Sequence, residues 1–273
     1  MDTRIILEKQ DFTHLQWSHT RSSSGTAGTF LKASERVNGK KIYYKLSNFD
    51  SEKGIVGHEC INEIIVDRLL TILGVEHLHY QLIHADVEID GHLYETWICA
   101  SEDFKEPGET KAALDNYYQV NSTTKISHYD FCVQNGWQGY IDTMLVVDYL
   151  IMNRDRHGAN IEVLRNARKK TLRIAPLFDH GLSFLCSCFS EEEIADFDID
   201  VDRKCKNFIG GRSTLENLSL IKEKKNVFSN NISEDTKAIL FEDLEQVLSA
   251  EHIEKIWNML YKRWLYYESI CNS

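Results

Sequence analysis

The chain has 273 residues, 42% hydrophobic, 11% aromatic and 27% charged. That composition suits one bilobal domain or two small ones and excludes collagen-like, coiled-coil and disordered chains. Lys plus Arg number 31 against 42 Asp plus Glu, a net charge of -11, which argues against a polyphosphate backbone, and so against nucleic acid, as a partner. No apolar run approaches the roughly 18 to 20 residues needed to cross a bilayer. The opening MDTRIILEKQDF lacks the unbroken apolar core of a signal peptide, so the expectation is a chain starting near Met1 that is cytoplasmic, or an exported effector without a signal peptide. Seven cysteines, none spaced C-x-x-C, read as reduced thiols. His180 with Cys186, Cys188 and Cys205 matches no common tetrahedral metal spacing, and these cysteines read as small buried apolar residues.

In chain order, residues 12 to 20, 29 to 37 and 40 to 47 are predicted as three successive antiparallel strands. The first connection is a Gly/Ser-rich loop; the second is Asn38-Gly39, the strongest short hairpin signal because both turn positions need positive φ. Residues 57 to 73 place Ile61, Ile64, Ile65, Leu69 and Leu73 at helical spacing and stop at Gly74. A second hairpin turns at Asp90-Gly91. Beyond Pro107-Gly108 the pattern becomes helical, and residues 140 to 152 are apolar nearly all round, as in a helix buried in a core. The polar cluster NRDRHGAN follows at 153 to 160, then a hairpin of 161–164 with 171–178, then Asp179-His180-Gly181. An acidic tract at 191 to 202 and a basic, Gly-rich bend at 204 to 212 read as solvated loops. From about 235 onward two amphipathic helices are predicted, with Trp257, Leu260, Trp264 and Tyr267 on the apolar face.

The chemistry concentrates in a few places. Asp155 and Asn160 lie five residues apart in a loop between the buried helix and a strand. Antiparallel pairing of 161–164 with 171–178 puts Asn160 and Asp179 at the same end of the hairpin. Asp155, Asn160 and Asp179 thus converge as oxygen donors of the kind Mg²⁺ requires, with phosphate and water oxygens completing the shell. The loop with Ser24, Gly25, Thr26 and Gly28 offers N–H groups and hydroxyls suited to cover a triphosphate. A two-residue turn at Asn38-Gly39 pairs 37 with 40, and therefore 32 with 45. That register brings Lys45 to the mouth of the loop, opposite Lys32, a like-charge pair that calls for a phosphate, a carboxylate or a bulge between them. Glu59 and Glu63, one turn apart on the helix, are both candidate partners for Lys45. Each feature alone is common in ordinary loops and strands. Their order is that of the parts of a protein-kinase-like fold.

The motif D-x-H-x-x-N at Asp155, His157 and Asn160, followed by Ala175-Pro176-Leu177-Phe178-Asp179, resembles the HipA-like kinases in a compact form. The resemblance implies an α+β bilobal protein-kinase-like fold. Residues 1–104 would form an N-lobe of antiparallel β-sheet with one main helix, and 105–273 a mostly helical C-lobe. It also implies that Asp155 is the catalytic acid, that Asn160 and Asp179 are metal ligands, and that Lys45 anchors phosphate with Glu63 as its partner. Glu102 and Phe104 match the hinge that offers backbone groups to adenine. The expected activity is ATP- and Mg²⁺-dependent transfer to Ser or Thr of a protein substrate. Autophosphorylation at Ser22, Ser23, Ser24 or Thr26 would expel nucleotide by charge repulsion. His157 is expected to brace the loop; Arg154 and Arg156 either brace it or meet a phosphorylated segment. Asp155-Arg156-His157 also echoes phosphatidylinositol kinases, so a lipid or small-molecule kinase is the alternative, and a nucleotide-binding pseudokinase a further one. The acidic tract favours a basic peptide or protein substrate over a membrane.

Overall fold

The computed structural model describes residues 5–18, 30–50, 52–122, 125–223 and 225–272. Its N-terminal half comprises β1 (Ile5–Asp11), β2 (Lys32–Val37), β3 (Lys40–Leu46), the short β4 (Phe49–Asp50) and β5 (Gly54–Ile55), α1 (Glu59–Leu73), β6 (Gln81–Ile89) and β7 (His92–Glu102). There follow β8 (Glu109–Ala113), α2 (Leu114–Asn121), α3 (His128–Gln134), α4 (Gln138–Leu150), β9 (Asp155–Arg156), β10 (Glu162–Asn166) and β11 (Thr171–Ile174). The chain ends with α5 (Glu191–Ala195), β12 (Lys206–Asn207), α6 (Thr214–Asn217), α7 (Thr236–Phe241) and α8 (Ala250–Cys271). No described helix is long and apolar enough to cross a membrane.

Five strands form the main sheet in the order β1-β6-β7-β3-β2. The Asn38-Gly39 hairpin forms as the sequence predicts, with φ of 50° and 82°, and its register sets Lys32 opposite Lys45 with no bulge. Asp90 and Gly91 turn the second hairpin with φ of 52° and 80°. The expected first strand is different. Residues 12–18 make only an isolated bridge, Ser18 to Lys32, and the true first strand is 5–11, which pairs in parallel with β6 at the opposite edge of the sheet. Residues 12–18 cross from one edge to the other, packing Phe12, Leu15 and Trp17 on the sheet's second face. Their aromatic residues record that packing rather than a ladder. The Gly/Ser-rich loop, with Ser24, Gly25, Thr26 and Gly28, lies outside the described residues.

Helix α1 sits between the sheet and the helical half. Its predicted apolar positions are all buried, and so are Glu59, Asn62, Glu63, Asp67 and Arg68, because all but the last turn is covered on every side. Gly74 ends it at φ 72° with its N–H on the carbonyls of Leu70 and Thr71, a conformation that costs glycine nothing. A continuous apolar core joins α1 to α4 and α8. Each fully buried Leu or Ile there contributes about 1.5–3 kcal/mol. Of the two predicted C-terminal helices, α7 is a short turn, whereas α8 runs for 22 residues with Trp257, Leu260, Trp264 and Tyr267 buried. The hairpin β10–β11 pairs Val163 with Ile174, and β8 adds a third strand.

Candidate active site

The β3 lysine, the α1 glutamate and the aspartate after β11 meet at one point. Lys45 Nζ lies 2.9 Å from Glu63 Oε1 and 2.6 Å from Asp179 Oδ1. Glu63 is therefore the helix partner; Glu59 instead accepts the Asn48 N–H at 3.0 Å. Burial works against the charge of Lys45, but Asp179 and Glu63 outweigh it and hold the ammonium well above the usual lysine range. Burial likewise works to protonate Asp179, but the Lys45 and Lys32 ammonium groups prevail and keep its pKa below the usual carboxylate range. The Lys32–Lys45 repulsion is thus relieved by a carboxylate. Glu63 also accepts the His180 N–H on Oε2 at 2.8 Å, tying α1 to the Asp-His-Gly segment.

Asp179 sits at φ 58°, a left-handed conformation that Asp tolerates better than most side chains. Its N–H donates to the Tyr80 hydroxyl at 3.2 Å. Tyr80 is in turn fixed by Asp67, whose Oδ2 accepts the Tyr80 N–H at 2.6 Å and whose Oδ1 meets His77 Nε2 at 3.0 Å and His79 Nδ1 at 3.1 Å.

The loop after α4 is organised by Arg156. Its buried guanidinium grips Asp148 through Nε and Nη2, and its Nη1 donates to the carbonyls of Asn160 at 3.2 Å and Phe178 at 2.9 Å. One side chain thereby joins Asn160 to the residue before Asp179, and the expected meeting of the two ends of the hairpin is realised. Arg156 is a loop brace. Arg154 donates its backbone N–H to Leu182 and lines the cleft beside Asp155. His157 Nε2 lies 3.7 Å from Asp155 Oδ2.

Asn160 Nδ2 donates to the Asp155 carbonyl at 2.8 Å, which commits the amino end of the amide and leaves its oxygen as the end available to a ligand. An ionised Asp179 carboxylate and that carboxamide oxygen are donor types suited to Mg²⁺. Asp155 Oδ1 is enclosed and has no hydrogen-bond partner among the described residues. Asp155 lines a cleft of about 660 Å³ together with Phe30, Glu59, Arg154, Lys204, Lys206 and Arg212, among others. Phe30 also lies under the Lys45 ammonium, 4.9 Å from its ring centre.

Glu102 and Phe104 stand at the junction of the two halves. Glu102 ends β7 opposite Ile42 with its carboxylate on Lys40. The Phe104 ring lies 5.5 Å from Phe178, and its carbonyl accepts from Arg173. Cys186, Cys188 and Cys205 are buried free thiols, with burial pushing the thiols of Cys186 and Cys205 up to about 11.

Sequence reasoning missed Tyr80, Asp148 and Lys206. Lys206 lies directly opposite Asp155 in the parallel pairing of β12 with β9, its Nζ 3.9 Å from Asp155 Oδ1. The basic bend at 204–212 was the available signal, but nothing in the sequence says that it docks against the Asp155 strand.

No protein-family model and no curated protein matches this chain. Among solved structures, the proinflammatory kinase CtkA of Helicobacter pylori superposes with a TM-score of 0.59 at 16% identity, covering 96% of this chain and 95% of that one. The fold is protein-kinase-like. HipA of Shewanella oneidensis, in a toxin–antitoxin complex with HipB and operator DNA, gives a TM-score of 0.46 at 13% identity, over 89% of this chain and 64% of that one. A Golgi casein kinase gives 0.43 at 15% identity, over 91% and 72%. This kinase-like fold resembles CtkA in near-complete coverage of both chains.

Proposed function

We propose that the protein is an ATP- and Mg²⁺-dependent kinase that transfers the γ-phosphoryl group to Ser or Thr of a protein. In this reading residues 1–104 cover the nucleotide and 105–273 carry the catalytic loop. The observation that carries it is the triad Lys45–Glu63–Asp179 in a kinase-like fold, with the Asp155–Asn160 loop tied through Arg156 to the residue before Asp179.

Lys45 supplies a fixed positive charge for the phosphates, held in place by Glu63 before nucleotide arrives. Asn160 and Asp179 would hold Mg²⁺, which supplies charge neutralisation at the phosphates when bound. Asp155 accepts the proton of the incoming hydroxyl. As the new bond from that oxygen to the γ-phosphorus forms, the bond from phosphorus to the bridging oxygen breaks, and ADP leaves with that electron pair. Glu102 and Phe104 offer backbone groups at the junction where adenine would sit. The Gly/Ser-rich loop, with Ser24, Gly25, Thr26 and Gly28, covers the triphosphate and is the site of self-phosphorylation.

Two variants test the reading. Asp155→Asn should keep stabilisation by Mg-ATP in a thermal-shift assay while phosphoryl transfer falls by about 10²–10⁴-fold. Asp179→Ala should lose most of both, because ligand stabilisation follows occupancy. A wild-type protein whose melting temperature ignores millimolar Mg-ATP would end the proposal.

A further inference from the structure

The cleft in front of Asp155 has a charge opposite to that of the whole chain. The protein carries -11, yet Arg154, Lys204, Lys206 and Arg212 line this cleft against two acids, Asp155 and Glu59. Glu59 is already committed to the Asn48 N–H, and burial pushes its pKa up.

The basic wall is built by the fold. The Lys206 N–H donates to the Arg154 carbonyl and the Phe208 N–H to the Arg156 carbonyl, each bond under 3 Å, so the bend is stitched along the Asp155 strand. A Lys204–Ser213 bridge and a Cys205-to-Arg212 backbone bond fold it back on itself. Lys204, Lys206 and Arg212 are thereby gathered at the mouth, all exposed. Lys204 and Arg212 make no ion pair among the described residues, and Lys206 has only the 3.9 Å approach to Asp155.

The neighbouring acidic tract does not neutralise them. Asp200 pairs with Lys262, and Asp202 is taken by Ser213, Thr214 and Arg263. Glu191 accepts from Ser249 and Glu193 from the Phe189 N–H. Among the described residues none of 191–202 lines the cleft. Much of the tract caps helices and anchors α8, so its charge does not describe the surface of the cleft beside Asp155.

We propose that the acceptor is an acidic polypeptide segment: a hydroxyl delivered to Asp155 and flanked within a few residues by Asp or Glu side chains that meet Lys204, Lys206 and Arg212. This rests on Asp155 being the acceptor-side carboxylate of a kinase. Charges at the rim of a cleft act chiefly on encounter and partner choice, so their effect appears in peptide binding and KM.

The test uses three fluorescein-labelled Ser peptides of equal length with acidic, neutral or basic flanks, measured by anisotropy and by transfer from labelled ATP, with a Mg-ATP thermal shift on the same protein. The acidic peptide should bind about ten-fold more tightly than the basic one and lose that advantage at high salt. The Lys204→Glu/Arg212→Glu double variant should reverse the preference. The Lys204→Gln/Arg212→Gln variant should abolish it, and an unchanged melting temperature would show both to be folded. Equal binding of the three peptides, an unaltered ratio in the folded variants, or displacement of the acidic peptide by a far lower concentration of single-stranded oligonucleotide would each overturn the acidic-segment proposal. With a normal Mg-ATP shift those results leave the kinase reading standing. Absence of that shift overturns the kinase reading and the acceptor role with it.

Discussion

Arg156 is the residue on which the geometry of the site depends most. It is fully buried, and burial opposes its charge, but Asp148 outweighs that cost and its pKa is raised. Four of its hydrogen bonds reach three segments: the end of α4 through Asp148, the Asn160 turn, and Phe178. Asp148 also accepts from Asn153 Nδ2 at 2.8 Å, so the same carboxylate sets the approach to Asp155. Arg156→Met should cost about 3–5 kcal/mol, because the Asp148 charge stays buried without its counter-ion. Arg156→Met/Asp148→Leu should cost less than Arg156→Met alone, a coupling read by denaturant titration of both variants with Asp148→Leu as the fourth corner. Two additive single effects would refute the brace. Since Nη1 alone spans Asn160 and Phe178, Mg-ATP affinity should fall in the double variant even where stability recovers.

At the scale of elements, α1 is the part against which the Asp-His-Gly segment is set. Asn62 Nδ2 donates to the carbonyls of Gly181 and Ser183, and a Cβ built on Gly181 would lie 2.9 Å from Glu59 Cβ, 3.1 Å from its carbonyl oxygen and 3.3 Å from Glu63 Oε1. Helix and segment touch backbone to backbone, so Gly181→Ala must push them apart. We expect a loss of about 1–3 kcal/mol together with a raised KM for ATP, as Glu63 shifts relative to Lys45. Gly39→Ala is the contrast: its Cβ meets nothing within 4 Å, but φ is 82°, so stability should drop with KM unchanged. Equal KM effects in the two variants would refute the packing argument. These elements also mark what the sequence made legible. The Asn38-Gly39 turn, the Lys32–Lys45 register, α1 with its Gly74 stop and the 161–178 hairpin follow from local rules of period and turn chemistry. The edge pairing of β1 with β6, and of β12 with β9, joins segments distant along the chain, and no local pattern encodes which distant edge a short strand will choose. That Asn160 and the residue before Asp179 lie near each other was readable, because they stand at the same end of one hairpin. Lys206 was not, because its placement depends on a crossover of some fifty residues.

Across the whole molecule, the sheet half and the helical half are joined through α1 and α8, and that seam contains two histidines. His58 precedes the first turn of α1 and His252 lies in the first turn of α8, their rings 4.8 Å apart at near right angles. Burial and then the His58 charge push His252 down to about 4. Burial also lowers His58, against the Cys188 backbone and Glu191, which favour its charged form. In the unfolded chain both rings titrate near 6.5. Below that pH the unfolded state binds protons that the folded state refuses, so stability declines as pH drops, until His252 protonates in the folded protein near 4. The full loss from His252 is about 3 kcal/mol, from 1.36 kcal/mol per pKa unit. Asp179 acts in a different window. Its depressed pKa contributes stability that is complete above the ordinary carboxylate range and is lost only as pH falls through its lower folded value. Urea midpoints should therefore fall steadily from pH 7 to pH 4 in the wild type, with a further drop at lower pH from the Lys45 cluster. His252→Gln should reduce the slope of the upper window and leave the lower one intact. The slope that stays is contributed by His58 and the buried His180, whose pKa values burial also lowers. Asp179→Asn should flatten the lower window. If His252→Gln retains the wild-type slope between pH 6.5 and 4, the acid sensitivity does not arise at the α1–α8 seam.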